Sequence, residues 1–360
     1  MAQIDAFFKL MNDEGASDLH VMAGQQPVLR IRGDMERVKF KVLDNETLKA
    51  MLYEICPEDK IKIFEETGDM DFGYEIPGLA RYRCNFFQQK YGIGAVFREI
   101  PSEILTVEQL GLPKVIAKLA SLPKGLVLVT GPTGSGKSTT LAAILDECNK
   151  TRKDHILTIE DPIEFVHKSQ QCVINHREVG THTKSFTAAL RGALREDPDI
   201  ILVGELRDLE TITLAMEASM TGHLVFGTLH TMNAMKTVDR VVEVFPANQQ
   251  GQVRSTLADA LKAVVSQTLF KRVDIKGRVA ALEILICTPA VRNLIREAKT
   301  YQIPSVMQTG KKYGMQTLDD AIMELLQRKK ISPEDAYTNC YEKQKFVKFL
   351  RKPPVDFTDV

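Results

Sequence analysis

The residues whose types and spacing could do chemistry lie between positions 131 and 230. Gly131-Pro132-Thr133-Gly134-Ser135-Gly136-Lys137-Ser138 satisfies G-x-x-x-x-G-K-[ST] at every fixed position, and Thr139 opens the helical pattern after it. Glycines at this spacing let backbone N–H groups turn inward as an anion nest. The helix that follows adds the positive end of its dipole. Lys137 then reaches the β- and γ-phosphates of a nucleotide, and the Ser138 hydroxyl can ligate Mg²⁺. The bland reading is a glycine-rich turn that binds nothing. An apolar run before the motif and a helix after it supply the context that phosphate binding needs.

Hydrolysis asks for more: an acidic group near the metal and another near the attacking water. In Asp199-Ile-Ile-Leu-Val-Gly-Glu205 an apolar strand ends at a carboxylate, with Gly204-Glu205 where an Asp is usual. In Thr158-Ile-Glu160-Asp161-Pro-Ile-Glu164 three carboxylates bracket a proline-stiffened strand end. Any one of these taken alone could be a solvated loop charge. His223 and His230 flank the segment Leu224-Val-Phe-Gly-Thr-Leu229. A histidine beside an apolar strand can be a satisfied core residue. No third ligand at useful spacing makes these two a metal site. Sensing a terminal phosphate, or positioning a carboxylate, is the sharper reading.

Several elements must hold these groups. Leu126-Val-Leu-Val129, Ile200-Ile-Leu-Val203 and the shorter Leu224-Val-Phe226 are continuous apolar runs, as buried parallel strands require. Helical patterns between them give an α/β domain. The first hundred residues predict a smaller α+β domain. Ile4, Phe7, Phe8 and Met11 share a helix face that stops at Gly15. Strands are expected at 19–22, 28–32 and 71–75, with a turn containing Gly33-Asp34, and a hairpin from 81–87 to 93–98 across 88–92. A second helix has Asp44 or Asn45 as its cap and Pro57 as its stop. Pro101, Gly111, Pro113 and Pro123 punctuate a linker with a short helix. The domain reading is 1–98, linker 99–115, 116–288, then a helical region 289–360.

In that last region Thr288-Pro289 starts a helix with Val291, Leu294, Ile295 and Ala298 inward. Thr317-x-x-Asp320 resembles a capping box, and Ser332-Pro333-x-Asp335 starts another helix. The basic tail around Lys343, Lys345, Lys348, Arg351 and Lys352 is interleaved with Phe346, Val347, Phe349 and Leu350. It could lie on anionic lipid; packing on its own domain is the preferred reading.

Composition excludes several classes. In 360 residues, 47 Lys+Arg balance 47 Asp+Glu, which speaks against a dedicated nucleic-acid binder. With 44% hydrophobic residues the chain is not mainly disordered. No window reads as a transmembrane helix, and the start lacks a signal-peptide pattern. Six scattered cysteines, the closest pair Cys148 and Cys172, contain no C-x-x-C and suit a reducing cytosol.

These residues together resemble a known family. Gly131 to Ser138, Glu160 to Glu164, Leu194-Arg-Glu-Asp-Pro-Asp199 running into Gly204-Glu-Leu-Arg-Asp208, and Thr221-Gly-His through Leu229-His-Thr231 are similar, in order, to four boxes of the type II/IV secretion ATPases. Those boxes are Walker A, the Asp box, Walker B and the His box. Ala16-Ser-Asp-Leu-His20 and Arg81-Tyr-Arg-Cys-Asn85 resemble the family's N-terminal domain. Ala290-Val-Arg-Asn-Leu-Ile-Arg-Glu297, with Lys299-Thr-Tyr-Gln-Ile303, resembles a segment of its pilus-retraction members.

The resemblance implies a RecA-like P-loop ATPase core, a PAS-like N-terminal α+β domain and a helical C-terminal extension. It implies a homo-hexameric motor that binds ATP and Mg²⁺ between its domains and retracts type IV pili. Glu164 would orient the attacking water, and Glu205 would hold Mg²⁺ through water. His230, with His223 behind it, would sense the γ-phosphate. Arg83 and Arg98 would reach the phosphates. Arg195, Arg207 and Arg240 match arginines near the nucleotide or the subunit boundary. The implied partners are an inner-membrane pilus platform protein and the pilus machinery, which would place the chain in the cytoplasm at the inner-membrane face. Met232, Glu196 and Val291 depart from common family residues, and none removes a group the chemistry needs. The 290–297 helix would be required for retraction but not for hydrolysis; a merely solvated face is its alternative. Rival readings are an extension or secretion ATPase, a DNA translocase and a nucleotide-gated protein without turnover. The first usually carries an extra N-terminal domain and a tetracysteine motif, neither seen here. Neutral charge disfavours the second, and the pair Glu164 and Glu205 the third.

Overall fold

The computed structural model describes residues 2–31, 33–100 and 103–352; Arg32 and Pro101 lie outside them. The chain divides into two compact units, Met1–Glu103 with Pro162–Val166, and Ile104–Asp161 with His167–Val360. The boundary thus falls slightly beyond residue 98, because the last strand of the first unit runs to Ile100.

The smaller unit holds helices α1 (Asp5–Asp13), α2 (Asn45–Tyr53) and α3 (Glu58–Thr67). Its antiparallel sheet has strands β1 (Asp18–Met22), β2 (Val28–Ile31), β3 (Asp34–Arg37), β4 (Asp69–Ile76), β5 (Ala80–Gln89) and β6 (Gly92–Ile100). Their order is β3-β2-β1-β6-β5-β4. The apolar face of α1 buries Phe7, Phe8 and Met11. Phe8 stacks on Tyr82 at 4.2 Å and meets Phe97 edge-on at 5.0 Å. Asp44 caps α2, accepting from Thr47 N at 2.8 Å.

Three expectations change here. Asp34 begins a strand paired with β2 rather than ending a turn. The β5–β6 hairpin turns across two residues, Lys90 and Tyr91, because Gln89 already pairs with Gly92. Pro57 stops α2 but also stands at the N-cap of α3, since proline is tolerated where a helix begins.

In the larger unit α4 (Lys114–Leu119) leads into β7 (Gly125–Thr130), α5 (Lys137–Thr151), β8 (His155–Glu160) and β9 (Val173–Glu178). Then come α6 (Phe186–Ala193), β10 (Ile200–Val203), α7 (Leu209–Met220), β11 (Leu224–Leu229), α8 (Ala234–Glu243) and α9 (Gln250–Ala260). Strands β12 (Leu261–Lys271) and β13 (Arg278–Ile286) close the sheet, whose order is β13-β12-β7-β11-β10-β8-β9. All pairs are parallel except β12–β13. Strands β7, β10 and β11 are buried along their whole length, as their apolar runs require.

The remaining helices are α10 (Pro289–Arg296), α11 (Ile303–Thr309), α12 (Leu318–Gln327), α13 (Pro333–Asn339) and α14 (Lys343–Val347). They belong to the same unit as the sheet. Val291 and Ile295 join its main core, and Phe346 of α14 is buried with Phe270, Leu318 and Ile322. The basic tail is therefore packed on its own domain up to that point. Ala298 is not inward: α10 has ended, and Ala298 is exposed with a positive φ of 57°. Thr317 and Ser332 cap α12 and α13 by accepting from Asp320 N and Asp335 N.

Candidate active site

The carboxyl ends of the parallel strands share one edge of the sheet, where ligands of open α/β sheets bind. The glycine-rich loop follows β7, Gly204 to Arg207 follow β10, His230 follows β11, and the segment with Glu164 follows β8. The topology alone gathers most of the sequence motifs on that edge.

The loop has the built shape of an anion cradle. Gly136 has φ +88° immediately before α5, and an added Cβ would lie 2.7 Å from Gln267 Nε2. Only glycine meets both demands. Lys137 Nζ donates back to the carbonyls of Gly131 and Pro132 at 2.9 and 3.1 Å. Ser135 Oγ is buried without a hydrogen-bond partner. These features, with the 15-residue helix α5 behind them, fit a polyphosphate. Pro132, Thr133, Gly134, Ser138 and Thr139 are at least partly accessible around the loop.

Gln267 was not legible as a site residue. It is buried on β12, where Nε2 donates to Ser135 O at 2.6 Å and Oε1 accepts from Thr140 Oγ1 at 2.7 Å. Next to it Thr130 Oγ1 and Ser266 Oγ are 2.7 Å apart. Gln267→Ala should leave both partners unsatisfied, costing about 1–3 kcal/mol of stability. The loop loses its brace, so nucleotide affinity should fall as well. Thermal denaturation and a nucleotide titration read the two effects; unchanged affinity would reduce Gln267 to a fold residue.

Glu205 is the electrostatic centre of the edge. Its Oε1 accepts from Arg207 Nε at 2.6 Å and lies 3.0 Å from His230 Nε2. Burial alone would raise this carboxyl, but Arg207 and His230 outweigh it and hold it below its ordinary value. It is therefore an anion at neutral pH and suits a cation. Asp208 anchors the short link after it by capping α7 on Thr211 N at 2.9 Å. Gly204 explains the Gly-Glu spelling. A Cβ there would lie 3.2 Å from Ile159 O and 3.3 Å from Glu160 Cα, tighter than ordinary side-chain contact, so a larger residue would press the β10 end away from β8. Thr228 Oγ1 donates to Gly204 O at 2.5 Å and fixes the turn.

The loop after His230 is tethered at its far side. Asn233 caps α8 on Lys236 N, and its Nδ2 donates to Tyr341 Oη at 3.2 Å. Ala234 N donates to Glu283 Oε1 at 2.7 Å.

Not every expected residue joins this edge. His223 does not stand behind His230. It precedes β11, donates from Nδ1 to Ala218 O at 2.9 Å, and lies a full strand from His230, roughly 20 Å. Its carbonyl accepts from Gly125 N at the opposite edge. Arg195 is exposed in the turn before β10, also at that opposite edge, and Arg240 is exposed in the last turn of α8. Glu164 is half-buried in the irregular segment after β8. In the smaller unit Arg83 and Arg98 are direct cross-strand partners. Like charges so placed repel. Asp71 lies 3.6 Å from Arg83, and Asp18 accepts from Arg98 at 2.8 Å, which offsets the repulsion.

Mg²⁺ has a fitting but incomplete donor set. Ser138 offers a hydroxyl and Glu205 a carboxylate, while the described residues contain no cluster of three or more His, Cys, Asp or Glu suited to a metal.

Residues 2–337 match the family model of the type II/IV secretion system protein. The chain is 57% identical to the type IV pilus retraction ATPase PilT of Pseudomonas aeruginosa, over 90% of this chain and 94% of that one. It is 54% identical to a twitching motility protein of Neisseria gonorrhoeae, over 86% and 83%. A crystal structure of the pilus retraction motor PilT with bound ADP superposes with a TM-score of 0.88 at 44% identity, covering 96% of this chain and 98% of that one.

Proposed function

The chain belongs to the type II/IV secretion system protein family and is an ATPase of it, and from that premise we propose how its residues turn ATP hydrolysis into retraction of type IV pili. The observation that carries the reading is the shared edge: a braced phosphate loop and an ionised Glu205 held by Arg207 and His230, both at the carboxyl ends of one sheet.

In this reading the loop from Gly131 to Thr139 wraps the phosphates with backbone N–H groups, and Lys137 exchanges its loop carbonyls for phosphate oxygens. Ser138 and Glu205 would hold Mg²⁺, which neutralises phosphate charge when bound. Glu164 accepts the proton of the attacking water. His230, already hydrogen-bonded to Glu205, reports whether the terminal phosphate is present. Arg83 and Arg98 donate to the phosphates from the N-terminal domain. Phosphoryl transfer of this kind depends on positioning and charge rather than covalent chemistry.

His223, Arg195 and Arg240 have no place beside their own chain's phosphate loop. We assign them to boundaries between subunits of a homo-hexamer. The ring would work at the cytoplasmic face of the inner membrane against a platform protein of the pilus machinery. Among the described residues no helix is long and apolar enough to cross a membrane, so the link to the membrane is through that partner. ATP turnover per subunit, measured against protein concentration with light-scattering sizing of the same samples, tests the ring. Specific activity should rise as the ring-sized species forms. Full activity in the monomer would remove the arginines from any role in trans.

A further inference from the structure

The segment that carries Glu164 has two ends. One is Glu160, the last residue of β8. The other is His167, which is buried and lies beside His176 of β9. The two imidazoles are 5.9 Å apart and 19° from parallel. His167 donates its backbone N–H to His176 Nε2 at 3.1 Å. Parallel register sets Thr158 opposite His176 and Glu160 opposite Glu178. Thr158 Oγ1 is 2.8 Å from His176 Nδ1, and Glu160 Oε1 is 4.0 Å from that same nitrogen.

A backbone N–H can only donate, so Nε2 must accept. The ring proton then sits on Nδ1, directed at Thr158 and Glu160. His176 is thereby fixed in one tautomer by the strand on one side and the segment on the other.

We propose that neutral His176 is a positioning residue for hydrolysis: its Nε2 pins the far end of the Glu164 segment, and protonation of Nε2 releases it. The inference rests on Glu164 serving as the base. A cationic imidazole carries N–H on both nitrogens and cannot accept from His167 N. It could then donate to His167 O, 3.4 Å away, but His167 N would face an N–H and lose its acceptor, which drives the end of the segment away. Among the described residues, groups from several elements face the pair. Thr158 and Glu160 lie on β8, His167 ends the segment, Glu178 follows on the same face of β9, and Asp146 of α5 acts on His167. Burial first, then His176, pushes the His167 side chain down to about 4, so His167 stays neutral at neutral pH.

The full-length His176→Ala and His176→Gln variants test this. His176→Ala should speed amide exchange in residues 161–168 at fixed pH. It should also lower kcat by roughly ten- to a hundredfold with little change in KM for ATP, the cost of a misplaced catalytic group. Glutamine can accept from His167 N without titrating in this range. The unmodified chain should lose kcat as pH falls through the imidazole range, about pH 8 to 5, whereas His176→Gln should keep its pH 8 kcat without that fall. Unchanged exchange in His176→Ala overturns the anchor. Faster exchange with unchanged kcat, or an identical pH profile in His176→Gln, overturns the positioning role. Full turnover by Glu164→Gln alongside faster exchange in His176→Ala would instead sink the base reading and leave the anchor standing.

Discussion

Glu164→Gln binds ATP with nearly unchanged affinity and turns it over about 10²–10⁴-fold more slowly, the range that a general base contributes. Size and hydrogen-bonding capacity are almost conserved by this change; the ability to take a proton from water is not. The Glu205–Arg207–His230 group is held by its own pairs, Glu205 with Arg207 and Glu205 with His230. Those pairs, and the Gln267 brace on the phosphate loop, are made by residues that the substitution does not change. Steady-state phosphate release gives the rate, and a nucleotide titration gives the affinity. A rate within a small factor of the unmodified chain removes Glu164 from the base role.

The second large effect separates chemistry from work. Arg292→Ala combined with Arg296→Ala should leave ATPase activity near its normal level and abolish pilus retraction. Helix α10 is held by Val291 and Ile295, which neither change touches. Arg296 pairs with Asp259 on α9, both side chains well exposed, and such a pair is worth only about 0.2–1 kcal/mol. Arg292 donates Nε to Cys287 O at 3.2 Å, close to where Cys287 N meets Lys262 O at the start of β12. That is the edge of the sheet opposite the phosphate loop, so neither arginine can reach the reacting atoms of its own chain. Purified ATPase activity and twitching of cells carrying the double variant are the paired readouts. Proportionate loss of both would mean that α10 supports the catalytic fold rather than a partner.

The phosphate loop was readable because its physics is local: glycines, a lysine and a helix start lie within nine residues. Strands β7, β10 and β11 were readable because burial on both faces forces an unbroken apolar run. Strand β9 was not. It is at the sheet edge, and its sequence Val-Ile-Asn-His-Arg-Glu mixes exposed and buried positions without regular alternation. Strand β12 starts directly at the end of α9 with no glycine or proline between them, so the sequence carries no punctuation there. Gln267 and His176 were missed for a related reason. Each acts through register with a distant strand, and nothing in its own neighbourhood signals a ligand. His223 was misplaced because a histidine at each end of one short segment looks like a pair in sequence, whereas a strand holds its ends apart.

The brace on the phosphate loop also has a consequence in time. Gln267 lies 132 residues after the Ser135 carbonyl that it holds, and β7 pairs only with β11 and β12, both later in the chain. At a synthesis rate of roughly 5–20 residues per second, the loop leaves the ribosome on the order of 7–25 s before its brace. Closing so long a loop of chain is paid in entropy before the contacts form. A nascent chain therefore carries the complete nucleotide motif while lacking the scaffold that shapes it. Nucleotide can bind tightly only once the sheet is closed, so in the cell ATP would select finished subunits over partial ones.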